Sequence, residues 1–331
     1  MTNSVGILGG VLMGTIFWAH EGIDWQGVSA GLSLTFARGG TLLLGQTNAT
    51  TDVNLVQGLF QAFVLGIVQG LTEFLPISST AHLQVFTTAL HWETVGAKPF
   101  VATIQFGSVI AVLIYFWKDI TKILTGGVEA IRQKDWQREE WKIIVGIAVG
   151  TLPILLAGFL LKKALNDDKS TINSMTTIAI ASIVMSLLLG LAEQIGNRKR
   201  NFDNLQVRDG ILMGLGQMLS LVPGVSRSGS TLTTGLFLGL ERQTAARFSF
   251  LLGLPALTIA TLYEFFTEAL GQINLGLVLV GTLSAFVFSY VSIAWLLGYL
   301  QRRNTWIFVW YRLAFGAAIL SAVAVGALKN T

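Results

Sequence analysis

Six stretches of this chain, 100–117, 143–161, 172–192, 248–263, 275–297 and 306–327, are long and apolar enough to cross a bilayer as helices. The hydrocarbon core takes about 20 residues of helix, or about 17 at the short end. Composition agrees, because 52% of the 331 residues are hydrophobic and 12% are charged, whereas soluble domains carry about 25% charged residues. So few charges cannot cover an aqueous surface, and the chain reads as an all-α polytopic membrane protein. It contains no cysteine, which excludes disulfides, thiolate catalysis and Cys-ligated metal sites. Lys and Arg fall mostly between the apolar runs, where they orient a chain in lipid, and nothing in their placement points to nucleic acid.

Two further apolar segments, 57–90 and 210–240, are each broken at the centre by proline and a hydroxyl cluster. Such a break frees backbone groups that hydrocarbon cannot satisfy, so it is tolerated only inside protein or beside water. Each segment is read as a re-entrant pair of short helices with its turn at mid-membrane depth. The two resemble each other: GIVQGLTEFLPISST and GLGQMLSLVPGVSRSGST share Gly, Gln three residues on, Pro, and a Ser-rich turn. Gln69 and Gln217 stand 148 positions apart, as do Phe100 and Phe248 at the head of the next apolar run. Each unit then holds a re-entrant pair and three transmembrane helices, 55–192 in the first and 210–328 in the second. Three is odd, so the second unit enters from the opposite side, and the repeats have inverted topology.

Charge placement fits. With the 118–142 connector inside, fourteen Lys and Arg lie on the inner side and five on the other, as the positive-inside rule requires. The first break then enters from outside and the second from inside. Trp136 and Trp141 put part of that connector at headgroup level. Residues 1–54 form an N-terminal extension. Its run from Val5 to Ala19 is apolar but short, with no Lys or Arg before it, and is read as one extra apolar helix or an interfacial segment rather than a secretory leader.

Gln69 and Glu73 are four apart and share a helical face just before Pro76. A carboxylate at this depth costs roughly 2.5–3.5 kcal/mol even on a lenient scale, so Glu73 needs a partner. A hydrogen bond pinning the turn would do; a carboxylate that holds a metal ion or moves a proton is the preferred reading. After Pro76 come Ser78, Ser79, Thr80 and His82. One hydroxyl suffices to cap a helix, and three exceed that need. His82 lies three residues after Ser79, which places imidazole and hydroxyl on one face as a base and a nucleophile. In the second turn Ser226, Ser228, Ser230 and Thr231 alternate with Gly224 and Gly229 around Arg227. A helix start rich in glycine cradles phosphate with its N–H groups, and a guanidinium grips two phosphate oxygens at once. Close helix packing explains small residues but not an arginine at mid-depth, whose partner is Glu73 or an anionic substrate. Arg312, the sole charge in the last span, reads equally as a site residue and as a structural or snorkelling one. Brought together at the midplane, these groups are the parts of phosphoryl transfer.

The strings QGLTEFLPISSTAHL and PGVSRSGST, with FSFLLGLPA and YRLAFG, resemble the undecaprenyl-diphosphatase family, the bacitracin-resistance type of integral membrane lipid diphosphatase, over about residues 55–328. The resemblance implies hydrolysis of undecaprenyl diphosphate to the monophosphate and inorganic phosphate, which recycles the carrier lipid for peptidoglycan. It implies a multi-pass protein of the bacterial inner membrane, a site facing the periplasm or exterior, and dependence on a divalent cation, Mg2+ or Ca2+. Carried over by motif, the essential glutamate and metal-binding residue falls on Glu73, the serine nucleophile on Ser79, the histidine on His82 and the phosphate-binding arginine on Arg227. Ser78, Thr80, Ser226, Ser228 and Thr231 would line the diphosphate site. Gln69 takes the first position of the family's (E/Q)xxxE pattern and carries no charge, and Ala81 stands where many members have Gly.

The expected mechanism is attack by Ser79, activated by His82, on the terminal phosphorus; direct attack by water suits the sequence equally. The partner is a polyprenyl diphosphate lipid in the membrane, and association into a homo-oligomer is left open. The competing class is a transporter or flippase of polyprenyl phosphate lipids, since inverted repeats with broken helices are also a transporter architecture. Phosphate release in detergent separates the two.

Overall fold

The computed structural model describes residues 49–92, 95, 98–166, 171–269 and 274–330. The apolar run from Val5 to Ala19, and all of the N-terminal extension before Ala49, lies outside the described residues. The described residues form eleven α-helices: α1 (Ala49–Phe74), α2 (Ser79–Leu90), α3 (Lys98–Tyr115), α4 (Trp117–Gln133), α5 (Glu139–Asn166), α6 (Met175–Ile195), α7 (Val207–Met218), α8 (Arg227–Phe237), α9 (Arg242–Glu264), α10 (Leu275–Arg302) and α11 (Trp306–Ala324). Six of them include apolar stretches long enough to cross a membrane: 55–74, 139–161, 175–195, 242–267, 275–302 and 306–324. Their large apolar side chains, Phe159, Leu160 and Trp310 among them, stay exposed, as a lipid-facing coat requires. The protein is an all-α, multi-pass membrane protein.

Two details depart from the sequence reading. The stretch expected to span at 100–117 is α3, which meets α4 at Phe116 with a 66° bend. The chain turns there because α4 puts Lys118, Asp119 and Lys122 on one side and the buried Ile123, Gly126, Gly127 and Ala130 on the other. A helix charged along one face lies across an interface rather than through it. The first broken segment, expected as two short helices, is instead a 26-residue α1 followed by the 12-residue α2. No proline interrupts the chain from Ala49 to Phe74, and only Pro76, which can neither donate to the backbone ladder nor fit inside it, ends the helix. The second segment does consist of two short helices, α7 and α8.

Contacts between helices respect the internal repeat. With α1, α2, α3, α5 and α6 exchanged for α7, α8, α9, α10 and α11, the packing of α1 on α10 becomes that of α7 on α5. Likewise α3 on α10 becomes α9 on α5, while the α3–α9 and α6–α11 pairs map onto themselves. The close approaches correspond as well. A Cβ added at Gly66 of α1 would stand 2.7 Å from Ser284 Cβ of α10, and one at Gly214 of α7 would stand 2.7 Å from Gly150 Cα of α5. Gly66 and Gly214 are again 148 residues apart. Without a hydrophobic drive between helices in lipid, such small-residue contacts and interhelical hydroxyl bonds hold the bundle. Ser108 and Ser289 share a 2.8 Å bond, Ser284 donates to Phe63 O at 2.9 Å and Ser292 to Leu71 O at 3.1 Å.

Several cations that signal topology also serve as ties at one end of the bundle. Buried Glu193 of α6 accepts from Arg198, from Arg242 of α9 and from the Thr305 hydroxyl at 2.8 Å, just ahead of α11. Arg247 of α9 holds Asp119 of α4 at 2.6 Å.

The packing predicts that Gly66→Val and Gly214→Val each destabilise the protein by about 1–3 kcal/mol through overpacking. Gly298→Ala, where an added Cβ meets nothing within 4 Å, should leave stability unchanged. Thermal unfolding of the purified variants in detergent checks both.

Candidate active site

The two breaks have the same backbone. Ser78 and Ser226 each precede a helix, both with positive φ, 78° and 73°, a region non-glycine residues enter only under constraint. Each hydroxyl then accepts an N–H of the first turn, Ala81 N at 3.4 Å and Gly229 N at 3.1 Å, as a helix cap does. The two serines are 148 residues apart, so the repeat extends to the dihedral angles. The next residue differs: the first helix opens on Ser79 and the second on Arg227. One fold therefore presents a hydroxyl from one side and a guanidinium from the other.

These groups meet on Glu73, at the end of α1, which is 8% exposed. Its Oε2 accepts from the Ser79 hydroxyl at 2.6 Å and from Gln69 Nε2 at 3.0 Å, while Oε1 accepts from Arg227 Nη2 at 3.0 Å. Arg227 Nη1 donates to Gly253 O of α9 at 2.8 Å. The guanidinium is thereby held from two sides, and a Cβ at residue 253 would stand 2.6 Å from Nη1. Gly253 belongs to the FSFLLGLPA string, but its role depends on a neighbour 26 residues away and could not be read from the string alone.

The other residues singled out in sequence divide into two groups. Ser226 and Ser228 share a 3.2 Å bond, and Ser228 also donates to Leu75 O at 2.9 Å, linking the second turn to the first. Ser230 and Thr231 turn back onto their own helix at Arg227 O, 3.0 and 2.8 Å away. Thr231 is fully buried and also bonds Ser249 of α9, which braces α8 against α9. Thr80 is exposed.

The geometry corrects the expected Ser79–His82 contact. His82 is buried, its Nδ1 lies 2.7 Å from Ser78 O and its Nε2 lies 2.6 Å from the Tyr311 hydroxyl. A carbonyl only accepts, so Nδ1 carries a proton and donates to Ser78 O, while Nε2 shares a hydrogen bond with the Tyr311 hydroxyl. The ring also stacks on Phe315, 4.2 Å between centroids. Three-residue spacing put Ser79 and His82 on one face, but α11 supplies a better partner for the imidazole and Glu73 a better one for the hydroxyl. Tyr311 opens the YRLAFG string, but nothing local gives it a role; its pairing with His82, 229 residues back, does.

A single carboxylate is no cage for a metal, and among the described residues no three His, Asp or Glu side chains gather to hold one. The oxygens present, on Glu73, Gln69 and Ser79, are hard donors. They suit a cation such as Mg2+ that completes its shell with phosphate oxygens and water.

A carboxylate, a hydroxyl and a guanidinium joined from two facing turns make a distinctive arrangement, and the region of the chain that carries it matches known proteins. A family model described as Bacitracin resistance protein BacA matches residues 62–318, which include both turns. A protein of Thermosynechococcus vestitus named undecaprenyl-diphosphatase is 55% identical over 273 residues, 82% of this chain and 97% of that one. Proteins of the same name from Trichodesmium erythraeum and Synechocystis are 53% identical over 277 residues and 54% identical over 272. The alignments cover 82% and 81% of this chain, and 88% and 83% of theirs. With both turns inside the match and more than half the residues identical, this chain belongs to the bacitracin resistance protein BacA family.

Proposed function

We propose that this protein hydrolyses undecaprenyl diphosphate to undecaprenyl phosphate and inorganic phosphate in the bacterial inner membrane, with its site open to the periplasm or exterior. The names of its relatives support this reading, and one observation carries it: buried Glu73 holds the hydroxyl of one turn and the guanidinium of the other. The headgroup of a lipid diphosphate carries charge at the membrane, and this arrangement offers a cation and helix-start N–H groups to meet it.

In the proposed reaction the Ser79 hydroxyl, already bonded to Glu73 at 2.6 Å, gives its proton to that carboxylate as its oxygen attacks the terminal phosphorus. The bond to the bridging oxygen breaks, and the lipid monophosphate leaves with the electron pair. Water then attacks the serine phosphate, the Ser79 O–P bond breaks to release inorganic phosphate, and the Ser79 oxygen takes its proton back from Glu73. Arg227 neutralises the phosphoryl oxygens as charge builds on them. His82 holds Ser78, and with it the start of α2, through the Nδ1 bond. A divalent cation, Mg2+ or Ca2+, would sit on Glu73 with Gln69 and Ser79 at hand, and its contribution is charge neutralisation of the diphosphate.

Phosphate release from undecaprenyl diphosphate by purified protein in detergent tests the assignment. Ser79→Ala should abolish turnover, and residual release in that variant would point to direct attack by water. Glu73→Gln should lower kcat by about 10²–10⁴-fold, the range of a positioned base. Chelation should stop the reaction and added Mg2+ or Ca2+ restore it. Gly253→Ala, by crowding Arg227, should raise KM and lower kcat without loss of folded protein.

A further inference from the structure

One buried cation is not used by this mechanism. Arg312 of α11 is 1% exposed, and among the described residues no carboxylate pairs with it. All its bonds run to backbone carbonyls: Nη1 to Pro76 O at 2.9 Å, Nη2 to Gly224 O at 2.7 Å and Val225 O at 3.0 Å, and Nε to Ser182 O of α6 at 3.3 Å. Pro76 and Gly224 are 148 residues apart, the same spacing that relates Gln69 to Gln217 and Ser78 to Ser226. A single planar ion thus bonds the equivalent carbonyl of each turn, from a helix outside both turns.

We propose that Arg312 is a positioning residue for the hydrolysis: it clasps the two re-entrant turns at the separation that lets Glu73, Ser79 and Arg227 meet. Glu73 lies three residues before Pro76, Ser79 three after it, and Arg227 three after Gly224. Within so few bonds of rigid turn, a change in the span of the clasp becomes a change in the Glu73–Arg227 distance. The fork is the essential feature, because two edges of a planar guanidinium address two turns at a fixed angle, which the point charge of lysine cannot do. A fully buried cation without a counter-ion is costly in lipid. Three carbonyls at breaks in helices, which hydrocarbon would leave unpaired, supply the return. Gly229 makes room for the clasp, since a Cβ there would stand 2.9 Å from Arg312 Nη1.

The test uses Arg312→Lys, Arg312→Met, Gly229→Ala and the Gly229→Ala/Arg312→Lys double variant, each purified in detergent, with kcat, KM and thermal unfolding measured on folded protein. Misplacing reacting groups by about 1 Å can cost about 100-fold in rate. Arg312→Met should therefore lose about 100-fold in kcat with a smaller change in KM, and lysine should not rescue it. Gly229→Ala, which keeps the arginine and displaces it, should lose about 10-fold and add little to Arg312→Lys, because coupled residues are not additive. Gly229→Ala remains informative if the Arg312 variants do not fold. Wild-type kcat per folded molecule in any of the three single variants, with only the unfolding temperature lowered, overturns the proposal; full additivity in the double variant does too. The inference rests on the hydrolase reading, and the two fail separately: a wild-type protein that releases no phosphate ends that reading, whereas an active wild type with equally active variants ends only this one.

Discussion

A helix that stops halfway through a bilayer leaves N–H and carbonyl groups that hydrocarbon cannot satisfy, and this protein has two such stops. The chain satisfies them from within. Ser78 and Ser226 take N–H groups at the two helix starts, Arg312 takes carbonyls of both turns, and Ser228 takes the carbonyl of Leu75. Because single side chains satisfy both breaks, the two turns are tied to each other as well as to the bundle. The site follows from that requirement: groups that must be close for the backbone to be paired bring Glu73 and Arg227 within 3.0 Å.

The repeat is symmetric in its frame and asymmetric in its chemistry. Equivalent positions keep the same backbone and the same close approaches, Gly66 with Gly214 and Ser78 with Ser226, because packing and helix ends impose the same limits twice. Where those limits do not act, the repeats differ. Glu73 is matched by Leu221, Ser79 by Arg227 and His82 by Ser230. A base and a hydroxyl on one turn with a cation on the other gives one site that can grip and cut a charged headgroup, where two identical turns would give two half-sites of one sign.

Part of this was legible because burial in lipid makes certain residue types costly. Glu73 and Arg227 stood out as charges where none is tolerated without a partner, and each being the other's partner follows from the same cost. Gln69 with Gln217, and Phe100 with Phe248, exposed the repeat by their spacing. The pairing of Ser79 with His82 was misread because helical spacing only places two side chains on a face, and competition from Glu73 and Tyr311 decided which contacts form. Arg312 stood out as the sole charge in the last span, but which groups it meets was not legible, and Gly253 carries no local sign of its role, since each acts on residues far along the chain.

The sequence by itself determined the solvent, the helical class, the two broken segments and the residues able to do phosphoryl chemistry, because hydrophobicity and charge act locally along the chain. Only the tertiary structure decided which base meets which hydroxyl, that α1 is a full-length helix, and that one arginine from the last span reaches both turns. Those are matters of angle and distance between helices, fixed by close packing of small residues and by which buried donor lies nearest each acceptor.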